Sequence, residues 1–316
     1  MKIKQFLTFI VLAAMTACWS PDGNRTTRNG SSPSSTTSSS TTPSSTNGKT
    51  SNNNGDTNKV SSNNNTTDAP KSGGFQGNLP SGFQTPTDPV GQKMLKEYGA
   101  MFVAKGVTPP GVVVFKNEGE VSAFQSGVQK SSENIGGVTI ELQAAAMNAL
   151  KEAVSEAKGK NLSISPRNAD SAKRSYQQTV DNWKSRVDPG LTFWVGKGKI
   201  TQADASRIKA LSATDQIPEI FKLEDQGIFF AQGNQKTIIY SVAPPGTSQH
   251  ISMLALDVAQ FENPQVRQVL ANHGWFQTVP SDLPHFTYLG VSENELPNLG
   301  LKKVTESGRT FWVPNL

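Results

Sequence analysis

The chain has 316 residues, a formal net charge of +5 and 35% hydrophobic residues. Its basic residues are scattered, without a patch and without interleaved aromatic residues, which argues against nucleic-acid binding. No glycine-rich loop that could cradle a phosphate is visible in the sequence.

The first 17 residues have the pattern of an export signal, because two lysines precede a short apolar run that ends in small residues. The run is shorter than the about 20 apolar residues of a membrane-spanning helix. Residues 14–18 resemble a bacterial lipobox, and Cys18 is the only cysteine in the chain. A lipid attached to Cys18 therefore explains this residue better than a disulfide, while an ordinary secretory signal is the alternative.

Residues 18–75 are rich in Ser, Thr and Asn, and such a segment cannot bury enough apolar surface to fold. We expect a disordered tether that holds the following domain about 40 Å from its anchor. Trp19 follows the cysteine in place of the aspartate that marks inner-membrane retention. In a Gram-negative cell this favours an exported protein, lipid-anchored in the outer membrane and facing the periplasm.

Residues 76–316 have the composition of one globular domain. Apolar periodicity and end signals predict helices at 92–102, 141–157, from 171 onward, 201–211, 217–223 and 264–273. They predict strands at 111–115, 162–167, 237–242, 251–258, 285–289 and 309–313. Thr201 and Asn263 are predicted N-caps, with Pro264 at a first helical position. The expected fold is α+β, a mostly antiparallel sheet with helices packed around it.

A zinc site is predicted in the stretch 244–288, which contains all three histidines of the chain. Asp257 stands inside an apolar run that is typical of a buried strand, where an unpaired charge costs several kcal/mol. His250, Asp257 and His285 would give Zn²⁺ three protein ligands and leave the fourth position for water, as in catalytic sites. Alternatively, the histidines cap loops and Asp257 bonds to backbone amides. His273, in the last turn of a predicted helix, is expected to be structural.

Asp282 stands three residues before His285. A carboxylate beside the metal, but not bound to it, could take a proton from a water molecule whose pKa the metal lowers to about 7. Asp282 is therefore the candidate catalytic base.

The run from Val242 to His250, together with the segment 254–258, resembles the metal-binding core of the VanY-like D-alanyl-D-alanine carboxypeptidases. These belong to a wider group of zinc folds that includes lysostaphin and sonic hedgehog. The pattern S-x-H-x₆-D implies that His250 and Asp257 are ligands, with Ser248 as a substrate contact. An acidic-x-x-H motif implies that His285 is the third ligand and Asp282 the base. The resemblance extends over residues 240–290 and is patchy from about residue 160.

The same resemblance implies an arginine at the end of a strand, which binds the carboxylate of the substrate, and a helper glutamine on the next helix. Arg167 is favoured because it ends a predicted strand, although Pro166 replaces the tyrosine of the family pattern. Arg174 is the competing choice, and the helper would be Gln177 or Gln178. An arginine fork suits a carboxylate well. For both arginines a surface salt bridge is the alternative.

The resemblance implies a zinc metallopeptidase of peptidoglycan stem peptides, most simply a D-alanyl-D-alanine carboxypeptidase. The run Asp282-Leu283-Pro284-His285-Phe286 departs from the Glu-x-Trp-His of the family and is closer to the L-alanyl-D-glutamate endopeptidases of phage lysins. An endopeptidase of peptidoglycan is therefore one alternative. A non-catalytic zinc-containing lipoprotein that binds peptidoglycan is another, although such a protein would have no physical need for Asp282.

Overall fold

The structure, a computed structural model, describes residues 73–316. The predicted export signal, Cys18 and nearly all of the predicted tether lie outside the described residues, so they stay predictions. Phe75, at the end of the predicted tether, lies in a short helix and is only 2% exposed, so the packed part of the chain includes it. Among the helices of residues 73–316, none has the length and apolar character needed to cross a membrane.

Within residues 73–316 there are eight α-helices: α1 (Gly74–Gly77), α2 (Pro89–Tyr98), α3 (Glu118–Gly127), α4 (Ala144–Gly159), α5 (Tyr176–Gly196), α6 (Gln202–Ala210), α7 (Ala213–Glu224) and α8 (Pro264–Asn272). The same part of the chain has seven strands: β1 (Lys130–Ile135), β2 (Val138–Gln143), β3 (Ala255–Asp257), β4 (Trp275–Phe276), β5 (His285–Tyr288), β6 (Leu301–Glu306) and β7 (Arg309–Pro314). Short 3₁₀ helices at Gly99–Val103, Ala169–Ser171, Ile238–Tyr240, Gln249–Ser252 and Glu293–Leu299 complete it.

The predicted α+β class is confirmed, but the strands of the described residues form three small sheets instead of one. Strands β1 and β2 form a hairpin, β6 and β7 form another, and β3, β5 and β4 form a three-stranded sheet in that order. All pairings are antiparallel. The three-stranded sheet is the one that carries two of the predicted metal ligands, Asp257 and His285.

Two helices begin at the cap residues that the sequence predicts. Thr201 caps α6 by accepting a hydrogen bond from the backbone N of Asp204 at 3.0 Å, and Asn263 caps α8 through the backbone N of Gln265 at 2.9 Å. Pro264 stands at the start of α8. These side chains satisfy N–H groups that the first helical turn leaves unpaired, so both predicted caps are confirmed.

Three predicted strands are wrong. Residues 111–115 are irregular, residues 162–167 make only an isolated bridge between Pro166 and Val258, and residues 237–242 contain a 3₁₀ helix. The hairpin of β1 and β2 was not predicted from the sequence. The adjacent glycines Gly136 and Gly137 are typical of a hairpin turn, and they adopt positive φ angles of 59° and 89°. Short apolar runs support several backbone conformations, and tertiary contacts choose among them.

The three-stranded sheet lies inside the main core. Leu254 and Leu256 are 0% exposed and Phe286 is 1% exposed. Burying each such side chain stabilises the fold by about 1.5 to 3 kcal/mol, which holds β3 and β5 firmly in place. Polar side chains on these strands are therefore buried with them.

Candidate metal centre

The pairing of β3 with β5 places two candidate ligands side by side. Asp257 lies directly opposite His285 in the antiparallel register. His250 comes from the 3₁₀ helix Gln249–Ser252, which ends at Met253 in a left-handed conformation with φ of 57° before the chain enters β3. This reversal brings His250 back over Asp257, seven residues later in the sequence.

The three side chains form a tight buried cluster. One ligand atom from each of His250, Asp257 and His285 can be chosen so that all lie within 4.8 Å of one another. Nε2 of His250 is 3.3 Å from Oδ1 of Asp257, and Nδ1 of His285 is 3.2 Å from the same oxygen. The predicted ligands therefore converge on one point.

Hydrogen bonds outside the cluster fix which ring nitrogen carries the proton. Nδ1 of His250 faces the carbonyl oxygen of Ala172 at 3.3 Å and must donate to it. Nε2 of His285 lies 2.9 Å from Oε1 of Gln249, and Nε2 of Gln249 donates to the carbonyl of Tyr98 at 2.8 Å, so Oε1 is an acceptor. Both histidines thus donate outward and keep a lone pair on the inner nitrogen.

The inner faces of the cluster contain only acceptors. Nε2 of His250 is buried and makes no hydrogen bond within residues 73–316. Two imidazole lone pairs and a carboxylate oxygen repel one another unless a cation lies between them. Outward hydrogen bonds from ligating histidines are also the usual support of a metal site. His250, Asp257 and His285 therefore fit a metal ion such as Zn²⁺, whose nitrogen and oxygen ligands these are.

The protonation states agree with this fit. Burial, aided by the charge of Arg174, lowers the pKa of His250 to about 4, which keeps the imidazole neutral at pH 7. Nη2 of Arg174 donates to Oδ2 of Asp257 at 3.1 Å, and this charged partner favours the ionised form of the carboxyl group. Neutral imidazoles and an ionised carboxylate are the forms that bind a metal.

The two candidate arginines have different surroundings. Nη2 of Arg174 donates to Oδ2 of Asp257 at 3.1 Å, on the oxygen that faces away from the histidines. The backbone N of Arg167 bonds to the carbonyl of Asp257 at 3.0 Å, while its exposed side chain makes no ion pair with any described residue. Arg174 thus supports the ligand, and Arg167 has a guanidinium free for a substrate.

Asp282 lines the same pocket as the cluster. Its backbone carbonyl accepts from the backbone N of His285 at 3.2 Å, so a tight turn joins the two residues. Asp282 is exposed, and its carboxyl makes no hydrogen bond within residues 73–316. Nevertheless, partial desolvation by the surrounding protein raises its pKa, and the negative charge of Asp257 acts in the same direction.

The remaining predicted site residues do not all lie at the pocket. Ser248 lines the pocket. Gln178 does not: its Oε1 accepts from the backbone N of Ser175 at 2.8 Å and its Nε2 donates to Asp170 at 2.9 Å, so it closes the N-terminus of α5 instead of holding a substrate. The alternative helper Gln177 donates to Asp181. His273 lies outside the cluster and pairs with Glu156 at 2.8 Å, in the structural role expected of it.

The pocket over the cluster has a volume of about 280 Å³. Among the lining residues that sequence reasoning missed are Arg186 on α5 and Tyr240, which is 42% exposed. Sequence reasoning also missed the orienting role of Gln249. Arg186 stands seven residues after Thr179, on the same face of α5, but nothing in the sequence marks that face as the one that lines the pocket.

The turn before His250 is fixed by close backbone approach. Gly246 has a φ of 75°, and a Cβ at this position would lie 1.9 Å from the carbonyl oxygen of Phe115. The backbone N of Gly246 donates to Oγ1 of Thr179 at 3.1 Å. Only glycine fits here, and the turn ties the segment that carries His250 to α5.

No protein-family model matches the chain, and no curated protein matches it. Among solved structures, the chain is similar to a variant of the vancomycin resistance D,D-pentapeptidase VanY in complex with Zn(II), with 17% identity and a TM-score of 0.28, over 52% of this chain and 82% of that chain. It is also similar to the LD-carboxypeptidase LdcB, a structure described in terms of peptidoglycan recognition, with 17% identity and a TM-score of 0.28, over 50% of this chain and 64% of that chain. VanY is also the family that the motifs around His250 resemble. At this TM-score the similarity carries no argument about activity, which rests on the site itself.

Proposed function

We propose that this protein is a zinc-dependent peptidase that hydrolyses peptidoglycan stem peptides, and that it acts as a D-alanyl-D-alanine carboxypeptidase. The observation that carries the proposal is the convergence of two histidine lone pairs on Oδ1 of Asp257, in a pocket that also holds Asp282 and Arg167. The sequence resemblance around His250 supplies the substrate class.

In this proposal His250, Asp257 and His285 would hold the metal. Zn²⁺ bound there supplies Lewis acidity, which polarises a carbonyl group and makes water more acidic. The carboxylate of Asp282 accepts the proton of the attacking water and donates it to the leaving amine as the peptide bond breaks. The guanidinium of Arg167 binds the terminal carboxylate of the substrate, while Arg174 keeps Asp257 in position.

The Asp-x-Pro-His-Phe run at residues 282–286 favours a second candidate, an endopeptidase that cuts within the stem peptide or a cross-link. We further propose that the protein is exported and held at the cell envelope by a lipid on Cys18. Such an anchor and a flexible tether would keep the pocket within reach of the cell wall.

The test is mass spectrometry of tetrapeptide, pentapeptide and cross-linked stem peptides after incubation with the protein, with and without a metal chelator. Loss of one alanine from the pentapeptide, abolished by the chelator, is expected for the carboxypeptidase. Internal or cross-link cleavage would favour the endopeptidase instead. If the protein holds zinc and cleaves none of these peptides, both peptidase proposals are contradicted. The alternative of a non-catalytic protein that binds peptidoglycan would then be favoured.

A further inference from the structure

One wall of the pocket is a single face of helix α5. Thr179, Asn182 and Arg186 all line the pocket, at positions i, i+3 and i+7 of one helical face. The segment 239–243, which includes the exposed Tyr240, also lines the pocket. The pocket is therefore bordered by an extended wall along the helix.

This helix leads away from the metal cluster. Arg174, which precedes the N-cap Ser175, binds Asp257, so the start of α5 lies beside the cluster. Arg186 follows ten residues after Tyr176, the first residue of α5, which corresponds to about 15 Å along the helix axis. Helical side chains lean towards the helix N-terminus, and for Arg186 this is the direction of the cluster.

The guanidinium of Arg186 has unused donors. Its Nε is buried and makes no hydrogen bond within residues 73–316. Its Nη1 donates to the carbonyl and hydroxyl oxygens of the preceding Ser185, at 3.3 and 3.0 Å. No described carboxylate forms an ion pair with Arg186, in contrast to Arg174. Its Nη2 makes no hydrogen bond within residues 73–316, so this N–H group is the one available to an anionic group in the pocket.

The net positive charge of the residues that line the pocket also favours an anionic ligand. Three arginines and two aspartates line it, which leaves one excess positive charge before any metal binds. A divalent metal would raise the excess to three. The terminal carboxylate assigned to Arg167 offsets one of these three charges, and the two that remain favour a second anionic group on the ligand.

We infer that Arg186 binds a second carboxylate of the substrate, carried by an acidic residue on the N-terminal side of the scissile bond. The inference rests on the proposed function for the identity of the substrate. With the C-terminal carboxylate at Arg167, the wall along α5 is left for the N-terminal part of the peptide. A separation of roughly 10 to 15 Å from the cluster is spanned by about three to four residues of extended peptide. The pocket therefore selects stem peptides whose acidic residue is free over those in which it is amidated.

The test uses two stem peptides that differ only in a free or an amidated carboxylate at this distal residue. Their binding is measured by calorimetry to the full chain with the Asp282→Asn substitution, loaded with Zn²⁺, so that hydrolysis does not consume the ligand. We expect the free acid to bind about tenfold more tightly, as for a charge-assisted hydrogen bond. Adding Arg186→Gln should bring the two affinities together, and Arg186→Lys should restore part of the difference.

Lys184→Gln is the matched control, because Lys184 is exposed on the same helix and does not line the pocket. It removes the same charge and should leave the tenfold difference intact. Equal binding of the two peptides to the chain with intact Arg186, or a difference that survives Arg186→Gln, would overturn the inference. Hydrolysis by the chain without substitutions is followed in parallel. Hydrolysis without a preference for the free acid would overturn only the role of Arg186. A preference for the free acid without hydrolysis would overturn only the proposed peptidase activity. Absence of both would overturn both proposals.

Discussion

Gln249 accepts a hydrogen bond from Nε2 of His285 at 2.9 Å, and this bond leaves Nδ1 of the ring facing Asp257. The orientation of Gln249 is itself fixed, because its amide donates to the carbonyl of Tyr98. A residue outside the candidate ligand set thus decides which nitrogen of His285 faces Asp257.

Replacing Gln249 by Leu should therefore weaken zinc binding about 10- to 100-fold, the usual effect of losing a partner that orients a ligating histidine. The measurement is a competition titration against a chromophoric chelator. Gln216→Leu is the control, because Gln216 is equally buried but bonds to Trp183 and Ile208 in the helical part of the fold. An equal loss of affinity in both variants would show that general destabilisation, and not the histidine tautomer, is responsible.

Asp282→Asn should reduce turnover of stem peptides by about 10²- to 10⁴-fold, because the amide cannot accept the proton of water. Metal content and thermal stability should stay as they were, since the Asp282 carboxyl makes no hydrogen bond within residues 73–316. Rates from mass spectrometry and zinc content by atomic absorption provide the comparison. Full activity in this variant would remove Asp282 from the mechanism.

Arg167→Gln should lower kcat/KM for peptides with a free C-terminal carboxylate at least about tenfold, because a charge-assisted bidentate contact is lost. Its affinity for zinc should not change, because the side chain contacts no ligand. Arg174→Gln is the comparison, and it should alter zinc affinity as well, since Arg174 binds Asp257. If Arg174→Gln reduced only substrate use while Arg167→Gln did nothing, the assignment of the two arginines would be reversed.

Glu224 should make the stability of the fold depend on pH. It is 5% exposed, and its Oε1 accepts hydrogen bonds from the backbone N of Phe230 and of Ile238. Burial raises its pKa from 4.5 to about 7, partly opposed by these bonds. The folded state therefore binds the proton more tightly than the unfolded chain, and the free energy of unfolding should fall as pH rises from 4.5 to about 7, by at most about 3 kcal/mol.

Urea denaturation at several pH values measures this slope. Glu224→Gln should reduce it, because an amide oxygen accepts the same two bonds without titrating. Glu219→Gln, on the same helix but paired with Arg207 at the surface, should keep the slope. A slope that is the same in all three proteins would show that Glu224 does not titrate differently in the folded and unfolded states.

The clustering of His250, Asp257 and His285 could be predicted from the sequence because few candidate residues were available for it. Three histidines in the chain and one carboxylate inside an apolar strand limit the combinations, and the pairing of β3 with β5 then places Asp257 opposite His285. Helix ends with strong caps, such as Asn263 followed by Pro264, were predictable for a local physical reason.

The features that depend on distant contacts could not be predicted in the same way. The apolar run 237–242 was expected to be a strand, but the chain there forms a 3₁₀ helix whose Ile238 bonds to Glu224. Gln178 was assigned to the substrate because a family pattern has a glutamine nearby, whereas its short-range bond to Ser175 closes the start of α5. Arg186 was passed over because helical spacing does not say what a helix faces.

The bond between Gln249 and the carbonyl of Tyr98 also limits how far the chain can be shortened. A fragment that begins at residue 160 would retain every ligand, Asp282 and all three arginines of the pocket, and by its list of residues it would look complete. It would lack α2, at whose end Tyr98 lies, and with it the acceptor that fixes Gln249 and, through Gln249, His285. The smallest stretch of chain able to hold the metal is therefore set by a residue that neither binds the metal nor offers it a side chain.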